Sequence, residues 1–224
     1  MFHLVSINDL SDTEIRILFN RTNTIKKNLY IYKDELEGKI LTNLFYEPST
    51  RTSSSFHAAM LKLGGEVLSI NEITYSSVSK GENLQDTIRT IGCYSDIIVL
   101  RSQNAGDAKL AAEVSEVPII NAGDGKGEHP TQTLLDLYTI HENFGRIRDL
   151  TITFVGDIVN GRTVHSLSKV LEDCELNYCE TYDVDMLPKS DVYYLTRVQK
   201  ERGSVGTYQL TKKHVKEMSE KCIV

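Results

Sequence analysis

The sequence predicts an α/β fold built on parallel sheets, because two kinds of segment alternate along the chain. Short apolar runs alternate along the chain with longer segments whose apolar residues recur at helical spacing. This alternation is typical of a parallel sheet that is covered by helices on both faces. The 224 residues, 40% hydrophobic and 25% charged, suffice for one large domain or two small ones.

The first part of the chain contains a repeated strand and helix pattern. Ser11 and Glu14 predict a capping box that opens the first helix. The predicted strands then cover residues 39–46, 67–70, 97–100 and 117–120, and the predicted helices follow Ser49, surround Ile88, and cover residues 107–114 and 130–143.

A second unit follows the polar stretch at residues 145–149. We predict a strand at 150–155, a turn at Gly156-Asp157, a helix at 163–171 and a strand at 192–195. The sequence therefore predicts a first domain at residues 1–143 and a second domain at residues 144–224.

The stretch Ser49-Thr50-Arg51-Thr52 directly follows a predicted strand and opens a predicted helix. Hydroxyl groups, an arginine and the free N–H groups of a first helical turn together suit a phosphate. The alternative is an ordinary helix start, in which a hydroxyl only caps the helix and Arg51 is solvated.

Further polar groups stand at other predicted strand ends or helix starts. Each of them has an ordinary structural explanation, such as a solvated lysine or a histidine at a helix start. Together they would place many cations at one edge of a sheet, where they would repel one another unless they share an anion. These groups are Ser76 and Lys80, Arg101, His129, Arg162 and Arg197.

Composition limits the remaining function classes. A formal net charge of -6 argues against a broad nucleic-acid surface, so a small anionic ligand is expected. The four cysteines lack zinc-site spacing, so we expect free thiols, no metal and a reducing compartment. Neither a signal peptide nor a membrane span is evident, and we expect a cytoplasmic protein with no membrane partner.

The same motifs resemble the aspartate/ornithine carbamoyltransferase family. The matching stretches, in order, are FYEPSTRT at 45–52, SKGE at 79–82, DG at 124–125, HPTQTLLD at 129–136, GRTVHS at 161–166 and TRVQKER at 196–202. The resemblance implies the carbamoyltransferase fold, with a carbamoyl phosphate domain, an aspartate domain, and a homotrimer whose active sites are shared between subunits. It implies transfer of a carbamoyl group from carbamoyl phosphate to L-aspartate in pyrimidine biosynthesis, without metal or cofactor.

The resemblance also implies roles for individual residues. Those implied to hold the phosphate are Ser49, Thr50, Arg51, Thr52 and Arg101. The resemblance places Thr52, Arg101 and His129 near the oxygen of the carbamoyl group. It places Gln132 near the amino group. Ser76 and Lys80 would reach the neighbouring subunit's site, and the two carboxylates of aspartate would be held by Arg162, Arg197 and Gln199. The residues expected to be catalytic are Arg51, Thr52, Lys80, Arg101 and His129.

The second domain is shorter than the family pattern. Only residues 172–191 separate the last two predicted elements, and a parallel crossover needs a dozen or more residues besides its strands, so at least one strand–helix unit is expected to be missing. The family's His-Pro-Leu-Pro loop is also not found before Val224. We therefore expect an incomplete second domain.

Three interpretations stay open at this point. The chain is an active enzyme, with a regulatory or full-length subunit as a candidate partner; or it is a weak or silent paralogue that binds carbamoyl phosphate or joins complete subunits; or the native chain continues further. Ornithine is the weaker choice of substrate, because Arg197 suits a second carboxylate.

Overall fold

The computed structural model describes residues 1–71, 81–179, 187–198 and 210–224, and within these ranges strands alternate with helices. The helices are α1 (Asp12–Lys27), α2 (Thr50–Lys62), α3 (Leu84–Gly92), α4 (Asp107–Val114), α5 (Pro130–Phe144), α6 (Arg162–Ser168) and α7 (Lys212–Glu217). The strands are β1 (Ile40–Phe45), β2 (Glu66–Asn71), β3 (Ile97–Ser102), β4 (Ile119–Asp124), β5 (Thr151–Val155), β6 (Glu175–Cys179) and β7 (Val192–Leu195). The predicted α/β class with parallel sheets is confirmed.

The first sheet has four parallel strands in the order β2-β1-β3-β4. One of its faces packs against α3 and α4, and the other packs against α2. In β3 the consecutive residues Ile98, Val99 and Leu100 are all at most 1% exposed, because both sides of the strand are covered. The strand order places the carboxyl ends of β1, β3 and β4 side by side at one edge of the sheet.

The second sheet has three parallel strands in the order β6-β5-β7. Phe154 of the central strand is fully buried and stacks on Tyr178 of β6, with the ring centroids 5.4 Å apart. β6 lies within residues 172–191, where no strand was predicted. α6 ends at Ser168, three residues before the end of the predicted helix.

The chain divides into two compact units between Gln132 and Thr133, within α5. The boundary predicted between residues 143 and 144 lies at the other end of the same helix and stays a prediction. Each unit has its own parallel sheet. None of the helices in the described ranges has the length and apolar character needed to cross a membrane.

Candidate functional site

The turn between β1 and α2 carries the Ser49–Thr52 motif and borders a pocket. Ser49 is the N-cap residue of α2, yet its side chain makes no capping hydrogen bond within the described part of the chain. The N–H groups in the first turn of a helix have no partner inside that helix. The turn therefore presents hydroxyl and N–H donors outward, and the explanation of Ser49 as an ordinary side-chain cap is disfavoured. A pocket of about 330 Å³ is lined by Phe45, Tyr46, Glu47, Pro48, Ser49, Thr50, Ser53 and Ser54.

The residues of the motif differ in exposure. Thr50 and Arg51 are exposed, whereas Ser49 and Thr52 are partly buried. Arg51 is therefore available to a ligand from solvent, and its side chain contributes little buried surface to the fold. This is the arrangement expected of a surface anion site at a helix start.

Arg101 lies beside this turn because β3 pairs with β1. Its carbonyl oxygen accepts a hydrogen bond of 2.8 Å from the N–H of Tyr46, which continues the ladder past Phe45. Its Nη2 stands 2.6 Å from Oε1 of Glu47, and the two side chains are only 13% and 18% exposed. A second guanidinium nitrogen, Nη1, donates to the carbonyl oxygen of Ala122 at 3.2 Å. The structure thus joins Arg101 to the Glu47 turn, and an ion pair with a carboxylate holds it there.

Glu47 is a residue whose role the sequence analysis missed. It belongs to the FYEPSTRT stretch, but a phosphate site was predicted from the cations and hydroxyl groups only. Its carboxylate competes for the same guanidinium that an anionic ligand would use. An acidic residue within an otherwise cationic motif was the available signal.

His129 follows the neighbouring strand β4 and immediately precedes α5. Its side chain is 6% exposed, and its Nδ1 lies 3.3 Å from Oγ1 of Thr131. The carbonyl oxygen of His129 accepts a hydrogen bond from the N–H of Gln132 in the first turn of the helix. His129 is thus held at the sheet edge that also carries Arg101, because β3 and β4 are adjacent.

Asp124 organises the loop that leads to His129. Its Oδ2 accepts the N–H of Gly106 at 2.9 Å and its Oδ1 accepts the N–H of Glu128 at 2.7 Å, so it ties the loops after β3 and β4 together. Gly125 follows with a φ of 53°, and a Cβ there would lie 2.5 Å from a backbone oxygen of the neighbouring loop. The loop conformation therefore requires glycine at this position. Asp124 is 7% exposed, so its charge acts on these internal donors.

Tyr46 forms part of the pocket wall. Burial raises the pKa of its hydroxyl above the ordinary value, and the nearby carboxylates of Glu82 and Asp107 raise the pKa further. The hydroxyl therefore stays neutral across the physiological range. Tyr46 itself therefore adds no negative charge to the pocket wall.

The second unit holds a separate pair of predicted site residues. Arg162 begins α6 after β5 and is 9% exposed, while Arg197 follows β7 and is exposed. Thr196, just before Arg197, donates both its N–H and its hydroxyl to the carbonyl oxygen of Val155 at the end of β5. Because β5 and β7 are neighbours, both arginines follow carboxyl ends of adjacent strands.

Three predicted site residues, Ser76, Lys80 and Gln199, lie outside the described residues. Gln132 is described and is partly buried. Among the described residues, no group of three or more His, Cys, Asp or Glu side chains could hold a metal ion. The four cysteines, Cys93, Cys174, Cys179 and Cys222, are free.

Comparison with known proteins identifies relatives of the whole chain. Residues 3–142 match the family model described as aspartate/ornithine carbamoyltransferase, carbamoyl-P binding domain. The aspartate carbamoyltransferase catalytic subunit of Methanococcus vannielii is 43% identical over 252 residues, covering 97% of this chain and 83% of the relative. That of Methanocaldococcus jannaschii is 46% identical over 231 residues, covering 90% of this chain and 76% of the relative.

Solved structures agree with these sequences. Aspartate transcarbamoylase from Trypanosoma cruzi in complex with N-(phosphonacetyl)-L-aspartic acid matches with a TM-score of 0.89 at 34% identity, over 99% of this chain and 81% of that chain. A crystal structure of the same enzyme with carbamoyl phosphate and aspartate matches equally well, at 33% identity, over 99% of this chain and 83% of that one. The Methanocaldococcus jannaschii catalytic subunit matches with a TM-score of 0.79 at 45% identity, over 90% of this chain and 76% of that one.

The alignment to the Methanococcus vannielii subunit spans 252 positions, more than the 224 residues of this chain. That relative therefore has residues inside the aligned region that this chain lacks. This supports the expectation that the chain is internally shortened.

Proposed function

The chain belongs to the aspartate/ornithine carbamoyltransferase family, and from this premise we propose that it transfers the carbamoyl group of carbamoyl phosphate to the amine of L-aspartate. The products are N-carbamoyl-L-aspartate and phosphate, and the reaction serves pyrimidine biosynthesis. The relatives at 41–46% identity are aspartate carbamoyltransferase catalytic subunits, which favours aspartate over ornithine. They also favour an active transferase over a silent paralogue.

One observation connects this proposal with the chemistry. The turn at Ser49, whose side chain makes no capping hydrogen bond, lies beside Arg101 at the edge of the first sheet. Hydroxyl groups, helix N–H groups and a guanidinium are the donors that a phosphate dianion requires. We assign the phosphate to Ser49, Thr50, Arg51, Thr52 and Arg101. We expect carbamoyl phosphate to compete with Glu47 for Arg101, because both are anions that pair with the same guanidinium.

The reaction needs positioned donors at the carbonyl oxygen. The aspartate amine attacks the carbonyl carbon and forms the C–N bond, the C–O bond breaks with its electrons going to the phosphate, and the departing phosphate takes up the proton that the amine loses. Thr52, Arg101 and His129 would stabilise the developing oxyanion, and a preorganised donor typically contributes about 3 kcal/mol. Gln132 would hold the carbamoyl amino group. The rest of the rate acceleration would come from holding the two bound reactants next to each other.

The aspartate carboxylates are assigned to the second unit. Arg162 and Arg197 follow adjacent strands there, and two guanidinium groups suit the two carboxylates of aspartate. Gln199 completes this set by resemblance to the family. Ornithine has one carboxylate and a side-chain amine, which a second arginine would repel.

We further propose a homotrimer in which Ser76 and Lys80 complete the neighbouring subunit's site. The resemblance of the SKGE stretch to the family supports this arrangement. Four free cysteines suit a reducing compartment, and we propose a cytoplasmic location on that ground. A regulatory subunit and a complete catalytic subunit are the further partners to test.

The decisive experiment is an assay of carbamoyl aspartate formation by the purified chain. We expect product with L-aspartate and none with L-ornithine. The assay is repeated after mixing with the complete Methanococcus vannielii subunit, to separate an enzyme from an associating partner. Binding of carbamoyl phosphate without product by this chain alone, with no more product in the mixture than the Methanococcus vannielii subunit makes by itself, would refute the enzymatic proposal.

A further inference from the structure

Three segments of the second unit meet at one hydroxyl group, that of Tyr194 at the end of β7. The Tyr194 hydroxyl donates a hydrogen bond of 2.9 Å to Oδ2 of Asp136 on α5. The side chain of Thr163 on α6 lies close enough to this hydroxyl to lower its pKa. The Tyr194 ring packs at a tilt against the fully buried ring of Phe154, with centroids 5.6 Å apart.

The hydroxyl remains a donor under all ordinary conditions. Burial raises the pKa of Tyr194, and the negative charge of Asp136 raises the pKa further. A neutral phenol that donates to a carboxylate forms a charge-assisted hydrogen bond, which is generally stronger than a neutral one. The bond therefore links α5 to β7.

This link reaches the two arginines assigned to aspartate. Thr163 is the direct neighbour of Arg162, and Tyr194 precedes Arg197 by three residues. The intervening Thr196 is itself bonded twice to Val155, so little slack remains between the phenol and Arg197. A displacement of about 1 Å in a positioned group can cost roughly 100-fold in rate, so the anchoring of these segments matters.

We propose that Tyr194 and Asp136 are positioning residues for dicarboxylate binding, which hold the segments carrying Arg162 and Arg197 at the separation that two carboxylates need. Neither side chain is assigned a contact with the substrate. The proposal rests on the proposed function, because it takes aspartate as the ligand of those arginines.

The test compares Tyr194→Phe with Tyr178→Phe. Both tyrosine rings pack on Phe154, but Tyr178 is 52% exposed on the edge strand and takes no part in the Asp136 bond. For Tyr194→Phe we expect the KM for aspartate to rise about 10-fold, with kcat and the KM for carbamoyl phosphate changed less than about 3-fold. Tyr178→Phe should leave all three constants within about 2-fold.

A second pair of variants separates positioning from folding. Asp136→Asn keeps a side-chain oxygen that can accept the hydrogen bond from the phenol. Asp136→Leu keeps the size of the side chain but has no acceptor. We expect Asp136→Asn to stay within about 3-fold of wild type in KM for aspartate, and Asp136→Leu to match Tyr194→Phe. If Tyr194→Phe does not fold, the comparison of the two Asp136 variants decides the question.

Direct binding separates this proposal from the proposed function. Calorimetric titration with succinate, a dicarboxylate without an amine, is carried out in the presence of phosphate. Wild-type protein that binds neither succinate nor aspartate would refute the proposed function itself. If Tyr194→Phe and Asp136→Leu both bind succinate with the affinity of the wild type, the positioning role alone is overturned.

Discussion

Glu47 and Arg101 form an ion pair at the proposed phosphate site. The two side chains are 13% and 18% exposed, so water screens their attraction only weakly. We expect a phosphate ion to compete with this carboxylate for Arg101 and to be repelled by it. We expect Glu47→Gln to bind inorganic phosphate about 3–10-fold more tightly than wild type, because the competing charge is removed while the side-chain shape is kept.

Titration calorimetry with inorganic phosphate measures this change. Glu35→Gln is the matched control, since Glu35 pairs with Arg21 on an exposed surface where both side chains are about half exposed. The control should leave phosphate affinity unchanged. Weaker phosphate binding by Glu47→Gln would mean that Glu47 supports the site rather than competing for it.

Arg51 is exposed in the first turn of α2, so its removal tests the site without disturbing the core. We expect Arg51→Ala to lose catalytic efficiency by about 1000-fold or more, because an arginine assigned to the leaving phosphate is absent. The melting temperature should change little. Arg16→Ala, on the exposed surface of α1, serves as control in the same carbamoyl aspartate assay. An active Arg51→Ala protein would contradict the assignment.

Tyr194 gives the stability a predictable dependence on alkaline pH. Burial and then Asp136 raise the pKa of its hydroxyl above the ordinary value of about 10. Above that value the unfolded chain releases a proton that the folded chain retains, so stability is complete below about pH 10 and falls as pH rises further. We expect a loss of up to about 1.4 kcal/mol at pH 11 that is absent in Tyr194→Phe.

Urea unfolding at pH 8, 9, 10 and 11 measures this contribution as the difference between wild type and variant. Tyr178→Phe, which removes an exposed hydroxyl, corrects for the other groups that titrate in this range. Parallel curves for wild type and Tyr194→Phe would show that the phenol contributes nothing to the pH dependence.

At the scale of elements, Asp124 joins the loops that end β3 and β4. Asp124→Asn replaces one acceptor with an NH₂ group, which then faces either the N–H of Gly106 or that of Glu128. A buried donor left without an acceptor costs about 1–3 kcal/mol, and we expect the free energy of unfolding to fall by that amount. Because this loop precedes His129, kcat should fall as well.

Urea unfolding and the carbamoyl aspartate assay measure the two effects of Asp124→Asn. Asp34→Asn is the control, because the Asp34 side chain is 67% exposed and its contact with Lys33 is long, at 3.6 Å. Loss of stability without loss of kcat would show that the loop after β4 does not position His129.

The elements that could be predicted from sequence are those whose burial is complete or whose caps are local. β3 is a continuous apolar run because both of its faces are covered. Ser11 caps α1 with Glu14 as predicted, since the capping box lies within four residues. β6 was missed because it is an edge strand whose residues are exposed or partly buried, so its apolar pattern is weak.

β4 shows a different limit of sequence reasoning. It extends to Asp124, beyond the predicted end at residue 120, although Asn121 in this extension is polar and fully buried. The amide of Asn121 donates to Val5 and accepts from the N–H of Gly123, so its polar atoms are satisfied within the fold. One partner, Val5, is far from Asn121 in the sequence, and the other, the N–H of Gly123, meets the side chain only in the folded backbone. The sequence alone therefore reveals neither partner.

At the scale of the whole molecule, the candidate site was predictable as a set of motifs but not as a set of contacts. Resemblance and the strand-end rule placed Ser49, Arg101 and His129 at one sheet edge. Glu47 and Asp124 lie within matching motifs, but their roles, like that of the Tyr194 hydroxyl, were missed because each acts through a partner that is near only in three dimensions. The contacts that the sequence did not reveal are therefore those that hold the site residues in place, and not those assigned to the ligand.

A trimer with shared sites predicts that two inactive chains restore each other. Arg51 is assigned to its own site and Lys80 to the neighbouring one, so a mixed trimer of Arg51→Ala and Lys80→Ala chains contains some sites with both side chains intact. If subunits mix at random in equal amounts, about one quarter of the sites are intact, and about one quarter of wild-type activity should return.

The two variants are refolded together from denaturant and assayed for carbamoyl aspartate, and each variant refolded alone is the control. The dependence on composition is diagnostic, because the intact fraction is the product of the two mole fractions and peaks at equal amounts. Sites built within one subunit would give no recovery at any ratio. Recovery that rises steadily with one variant would instead show that this variant is itself active, and would contradict the assignment of its mutated residue.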